Sequence, residues 1–233
     1  MKPLKPVFLI GVNLVLEQRW PLLVLMAYVI LLTGVAVFSS GTTASDVVEL
    51  TRMLAAYGVL VGAMMASAIV HHDRRTRRIL SVLSKGVTRA QYLAGAVTGI
   101  MMGLVVYSAL VAAGMSWAAA RAGLDWFAVW RFMAFVVSAY LLAVVTPLFF
   151  ATFLHPMVAM GVALLGLAGL AVAPAAVRVI APVDAAVRTM AQFSFSGGDL
   201  PWSVAAAMVL NSLVLWAAAT VVFSRRDIAV AVE

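Results

Sequence analysis

Long apolar stretches, separated by short polar segments, dominate the sequence. A helix that crosses the hydrocarbon core of a membrane needs about 20 predominantly apolar residues, and six stretches approach or exceed that length. The pattern predicts membrane-spanning helices over residues 21–38, 53–70, 92–120, 126–153, 156–173 and 202–223. We therefore expect an all-α membrane protein in which residues 1–233 form a single transmembrane domain with six spans.

The fourth and fifth spans are separated on the basis of length. Residues 126–173 carry one charge, Arg131, near their start. As a single helix they would extend about 72 Å, whereas the hydrocarbon core is only about 30 Å thick. Pro156 lacks a backbone donor and disfavours helical structure in the residue before it. The turn is therefore predicted at Leu154, His155 and Pro156.

Two further segments are predicted to lie at the membrane surface. Residues 6–20 contain an apolar run that is too short to span. We interpret them as a helix in the cytoplasmic interface, with extension of the first span as the alternative. Residues 177–195 are too polar to span, yet their apolar residues recur three and four positions apart. That spacing predicts short amphipathic helices on the external side, broken at Pro182.

Composition and charge support a membrane protein and set its orientation. Hydrophobic residues make up 65% of the chain and charged residues 11%, whereas a soluble domain is about 25% charged. The formal net charge is +7, and most Lys and Arg residues lie near the N-terminus, in segment 71–91 and after the last span. Positive residues accumulate on the cytoplasmic side, so both termini are predicted to be cytoplasmic. We expect a multi-pass protein of the cell (inner) membrane, with the lipid bilayer as a partner and no nucleic acid.

The sequence offers little chemistry for catalysis. It contains no cysteine, and it lacks the H-E-x-x-H, G-x-S-x-G and P-loop motifs. His71 and His72 are adjacent, so on a helix they point about 100° apart and make a poor metal-binding pair. We therefore expect no catalytic residue, no metal site and no cofactor bound by this chain. Without a P-loop the chain cannot hydrolyse ATP by that route alone, so something else must drive any active transport.

Small and polar residues mark positions where helices meet. Gly58 and Gly62 form a G-x-x-x-G pair in the second predicted span, and such pairs let helices approach closely in lipid. The pair serves packing within one subunit or dimerisation equally well. Asn211 is the clearest polar residue inside a late span. It contacts either a substrate on a translocation path or another helix, and the helix contact is favoured.

Segment 71–91, between the second and third spans, has a basic start and an apolar side. A positive-inside anchor explains its charges but not its length, so a short helix at the cytoplasmic surface fits better. The segment contains Leu-Ser-Lys-Gly-Val-Thr-Arg at 83–89, with Gly95 downstream, and the chain continues Phe-Ser-Arg-Arg-Asp-Ile at 223–228. In these motifs and in its plan of spans, the sequence resembles the permease subunits of the ABC-2 type transporter family. Gly86 stands where that family often has proline.

The resemblance implies that segment 71–91 is a coupling segment, which docks on a separate ABC-type ATP-binding subunit present in two copies. ATP and Mg²⁺ would be bound by that partner. The resemblance also implies a homodimeric exporter, with the translocation path between the two copies. The substrate class stays open between a lipid, a drug-like amphiphile, a peptide and a polysaccharide, and the apolar spans slightly favour an amphiphile that enters from the membrane. The alternatives are a membrane-embedded lipid-modifying enzyme and a non-transporting membrane scaffold. The implied coupling residues are Asp73, Arg74, Arg77, Arg78, Leu80, Leu83, Val87 and Arg89.

Overall fold

The computed structural model describes residues 4–17, 19–38, 43–76, 78–84, 86–171, 183–195 and 199–225. All regular secondary structure in these ranges is helical, so the predicted all-α class is confirmed. The helices are α1 (Leu4–Glu17), α2 (Arg19–Phe38), α3 (Ala44–Arg75), α4 (Arg78–Leu83), α5 (Arg89–Arg121), α6 (Trp126–Ala151), α7 (Pro156–Ala171), α8 (Val183–Ala191) and α9 (Trp202–Arg225).

Four helices of the described chain, α3, α5, α6 and α9, are long and apolar enough to cross a membrane. Helices α1 and α2 meet at 67° and add a fifth candidate if the bent pair is one span. Helix α7 has 16 residues, or about 24 Å, which is short of the hydrocarbon core. The described chain thus has four to five candidate spans, which is consistent with a multi-pass membrane protein.

The helix starts are set by capping side chains rather than by the edges of the apolar runs. Thr43 and Asp46 form a reciprocal capping box, in which the backbone N–H of Thr43 donates to Oδ2 of Asp46 at 2.8 Å. Thr88 and Gln91 form the same arrangement before α5. Each box satisfies two backbone donors that a helix start leaves free. As a result, α3 and α5 begin several residues before the predicted spans.

Helix α6 lies at the centre of the packing, against α3, α5, α7 and α9. The largest fully buried side chains include Phe132, Phe135 and Tyr140 of this helix. The chain breaks after Ala151 and resumes as helix at Pro156. This is the turn that the sequence predicts from length and from the backbone restriction of proline. Helix α8 lies within segment 177–195, while residues 172–182, including Pro182, lie outside the described residues.

The glycines singled out in α3 pack inside the subunit. A Cβ atom at Gly58 would lie 2.3 Å from the hydroxyl oxygen of Tyr140, and one at Gly62 would lie 2.8 Å from Cδ1 of Leu104. These two glycines let α3 approach α6 and α5. Packing within one subunit accounts for both positions.

Gly58→Ala is expected to destabilise the protein by about 1–3 kcal/mol, because the added methyl group overpacks the contact with Tyr140. Gly34→Ala is the matched control, since no described residue outside the adjoining turns of α2 comes within 4 Å of its added Cβ. Alanine is about 0.5–1 kcal/mol better than glycine inside a helix, so the control should be neutral or stabilising. Thermal unfolding of the purified variants measures the difference. Equal melting temperatures for the two variants would contradict this account of the packing.

Candidate functional site

The predicted coupling segment comprises the end of α3, the short helix α4 and the start of α5. On α4, Ile79 is 1% exposed and holds the helix against the rest of the chain, whereas Leu80 is 37% exposed. Val82 and Leu83 are partly buried and pack against the core. The apolar residues of α4 therefore have two positions: Ile79 is buried against the rest of the chain, and Leu80 lies at the surface.

A tight turn leads from α4 into α5. The backbone N–H of Ser84 donates to the Leu80 carbonyl at 2.9 Å, and that of Gly86 donates to the Leu83 carbonyl at 3.1 Å. Gly86 has a φ of 77°, a left-handed conformation that glycine adopts without steric cost. The turn therefore accounts for glycine at a position where the resembling family often has proline, a residue that cannot adopt this φ.

A cluster that we call the hub lies where the two ends of the coupling segment meet α9. It consists of Asp73 and Arg74 of α3, Arg89 and Tyr92 of α5, and Phe223 of α9. The ring of Phe223 is fully buried. The Cζ atoms of Arg74 and Arg89 each lie 5.7 Å from its centroid, and the Tyr92 ring stacks on it at 6.1 Å. Two guanidinium groups close to one aromatic ring are a favourable electrostatic arrangement.

Hydrogen bonds extend the hub to the end of α9 and to the α6–α7 turn. The Nη1 atom of Arg89 donates to the carbonyls of Phe223 and Ser224 at 2.6 and 2.8 Å. A cation at this position satisfies terminal carbonyls and complements the negative end of the helix dipole. The Nη2 atom of Arg74 donates to the carbonyl of Thr152 at 3.0 Å. The hub therefore connects α3, α5, α9 and the turn after α6.

Asp73 is the buried carboxylate of the hub. Its side chain is 3% exposed, and the hydroxyl of Tyr92 donates to its Oδ2 atom at 2.7 Å. Removing a carboxylate from water is costly unless it is hydrogen-bonded or paired. The contact with Tyr92 lowers that cost and joins the end of α3 to the start of α5.

The structure separates the predicted coupling residues into two groups. Asp73, Arg74 and Arg89 turn inward and join helices, a role that the sequence-based hypothesis did not assign to them. Leu80 lies at the surface, and Leu83 and Val87 are partly exposed beside it. Arg78 is the first residue of α4, and Arg77 lies outside the described residues.

The other sequence-predicted positions lie away from α4. Gly58 and Gly62 are buried in the packing of α3, as described above. Asn211 is partly exposed on α9, whose most apolar stretch is only 22% buried inside the chain. These positions give no reason to assign a substrate contact to any of the three residues.

Phe223 and Tyr92 are the residues of the hub that sequence reasoning missed. Both residues lie at or near motifs of the sequence. Phe223 begins the Phe-Ser-Arg-Arg-Asp-Ile motif, and Tyr92 lies three positions after the motif at 83–89. His71 and His155 also come together, with ring centroids 5.2 Å apart. Among the described residues, no three His, Asp or Glu side chains are placed to share a metal ion.

The sequence matches no protein-family model, and it has no significant similarity to a curated protein. The functional assignment therefore depends on the geometry of α4 and the hub, together with the motif resemblance.

Proposed function

We propose that the chain is the transmembrane permease subunit of an ATP-driven, ABC-2-like exporter. In this proposal two copies form a homodimer in the cell (inner) membrane, each with six spans and both termini in the cytoplasm. Two copies of a separate ABC-type subunit bind ATP and Mg²⁺ and hydrolyse the nucleotide. This chain contributes the translocation path and the helix α4, which receives the movement of the ATP-binding subunits.

The observation that carries the proposal is the position of α4. It is a short helix with Ile79 buried as an anchor and Leu80 at the surface. An apolar side chain on a stiff helical element is suited to a groove on a partner. The neighbouring Arg75 is exposed, and rim charges of this kind orient a complex more than they strengthen it.

The connections of α4 favour transmission of movement. Only Thr76 and Arg77 separate it from α3, and a tight turn joins it to α5. A displacement of α4 therefore acts on two long helices at once. Through the hub, the same displacement reaches α9 and the α6–α7 turn. Four long helices can thus respond to one contact at the surface.

Co-expression with any ATP-binding protein that a neighbouring reading frame encodes tests the proposal. We expect one such protein to co-purify with the chain in a one-to-one ratio, and its ATP hydrolysis to change when the chain is present. A variant of that subunit without its P-loop lysine should still co-purify but should not hydrolyse ATP, because that lysine contacts the phosphates. If no ATP-binding protein associates with the chain, the proposed function is wrong.

A further inference from the structure

A cavity of about 410 Å³ lies between α8 and the helices beneath it. Ligand-binding cavities typically measure about 300–1,000 Å³. Its walls come from α3, α6, α7, α8 and α9, and every lining side chain is apolar. Representative lining residues are Val59, Ala139, Leu142, Leu164, Val187 and Met190. The space is suited to an aliphatic group, and the described residues that line it offer no polar partner.

A second cavity, of about 530 Å³, adjoins the first, because Val59, Val187 and Met190 line both. Its far side is formed by Glu49 and Arg52 at the start of α3. These two side chains lie 3.6 Å apart between Nη1 of Arg52 and Oε2 of Glu49. The two cavities together make an apolar crevice with charged groups at one end.

Helix α8 is amphipathic, and its apolar face lines the crevice. Val183, Ala186, Val187 and Met190 share that face, since they lie three and four positions apart. On its other side, Nε of Arg188 bonds to Oδ1 of Asp184 at 2.9 Å. Val187 is 53% exposed despite facing inward. Part of its apolar surface therefore meets the open space of the crevice rather than protein atoms.

The described residues leave the crevice open, although several contacts hold the chain that follows α8. The Nε and Nη2 atoms of Arg52 donate to the carbonyl of Phe193 at 3.0 and 2.6 Å. The ring of Phe193 stacks on that of Phe132 with centroids 4.0 Å apart. These contacts fix the end of α8 above the crevice.

Along α3, the crevice reaches from Glu49 to Val59, a distance close to the depth of one leaflet of a membrane. Glu49 and Val59 are ten residues apart on α3, which corresponds to about 15 Å along the helix. Half of a hydrocarbon core about 30 Å thick is the same length. A ligand that is charged at one end and apolar over the depth of one leaflet is an amphiphile with an aliphatic chain.

We infer that this crevice binds an amphiphile, with its aliphatic chain under α8 and its polar headgroup beside Glu49 and Arg52. The inference deepens the proposed function and rests on it for the role of the ligand, since it names the substrate class of the exporter. Binding itself needs only this chain. It can therefore be measured without the ATP-binding subunit.

Cysteine protection provides the test, because the natural chain contains no cysteine. Two variants of the full chain, each held in a fluorinated surfactant, carry one cysteine. Val187→Cys places it in the crevice, and Ala185→Cys places it on the opposite face of α8. Hexadecyl phosphocholine at about ten times its dissociation constant should slow maleimide labelling of the Val187→Cys protein about tenfold, by mass action. Butyl phosphocholine should not, and labelling of the Ala185→Cys protein should be unchanged.

A matched pair of substitutions on α6 separates the crevice from the rest of the surface. Ala139→Phe fills the crevice wall and should remove the protection, whereas Ala134→Phe, at an exposed position of the same helix, should preserve it. Melting temperatures of both variants check that they are folded. The inference is overturned if the ligand does not slow labelling of the Val187→Cys protein, if it slows labelling of both cysteines equally, or if protection survives Ala139→Phe. Protection without any associating ATP-binding protein would leave the site standing and remove only the proposed function.

Discussion

Leu80→Asp is expected to weaken co-purification with the proposed ATP-binding subunit about 30-fold or more, while Ser81→Asp should leave it intact. Leu80 is the exposed leucine of α4. Under the proposed function it enters an apolar groove on the partner, where a carboxylate would be costly. Loss of one anchor residue at an interface typically costs about 2 kcal/mol or more, which weakens binding about 30-fold. Ser81 is the next residue and is exposed. Both variants therefore add the same charge to the same helix.

The measurement combines a pull-down with an ATP hydrolysis assay on the assembled complex. Leu83→Asp should weaken binding and also lower stability, because Leu83 packs partly against the core. Ile79→Asp is unsuitable as a binding test, since Ile79 is buried and the charge would disturb the fold. Normal association and normal stimulation by the Leu80→Asp protein would show that α4 does not couple the two subunits.

The positions of the long helices could be predicted from sequence because a helix must satisfy its own backbone in lipid. Apolar runs therefore report where α5, α6 and α9 lie, and Pro156 reports where the chain turns. The helix ends were less predictable. Intrahelical hydrogen bonds continue past the apolar run until a cap stops them, as Thr43 and Asp46 do before α3.

The hub could not be predicted, because its contacts join residues far apart in the chain. Arg89 and Phe223 are separated by 134 positions, and no local pattern reveals that they meet. The sequence shows Asp73 and Arg89 as charged residues in a polar segment, which is typical of a surface. Only the packing shows that their side chains turn inward and hold helices together.

The spacing of the glycines does not show whether they serve helix contacts within one subunit or between subunits. Gly95 and Gly99 of α5 lie opposite α1, where added Cβ atoms would come within 2.6 Å of Ile10 and 2.7 Å of the Gly11 carbonyl oxygen. A stripe of glycines is equally compatible with a contact inside a subunit or between subunits. The partner helix decides between these, and in this chain α1 covers the stripe.

Phe223→Ala is expected to lower stability by about 3–5 kcal/mol, the usual cost of removing a buried phenylalanine ring. The ring contacts the Arg74 and Arg89 guanidinium groups and stacks on Tyr92. Phe38→Ala is the control, because Phe38 is 73% exposed on α2 and its ring fills no core space. Thermal unfolding compares the two variants, and equal stability would show that the ring does not hold the hub together.

Phe223→Leu separates the proposed role of the hub in transmitting movement from its contribution to stability. Leucine keeps most of the buried volume but has no aromatic face, so the variant loses cation–π attraction worth about 0.5–2 kcal/mol. It should fold and bind the ATP-binding subunit normally, since Leu80 is untouched, yet the change that the chain causes in ATP hydrolysis should be reduced. The hydrogen bonds from Arg89 use the backbone carbonyl of residue 223, so they survive the substitution. A folded Phe223→Leu protein that stimulates hydrolysis fully would show that movement reaches α9 without the aromatic contact.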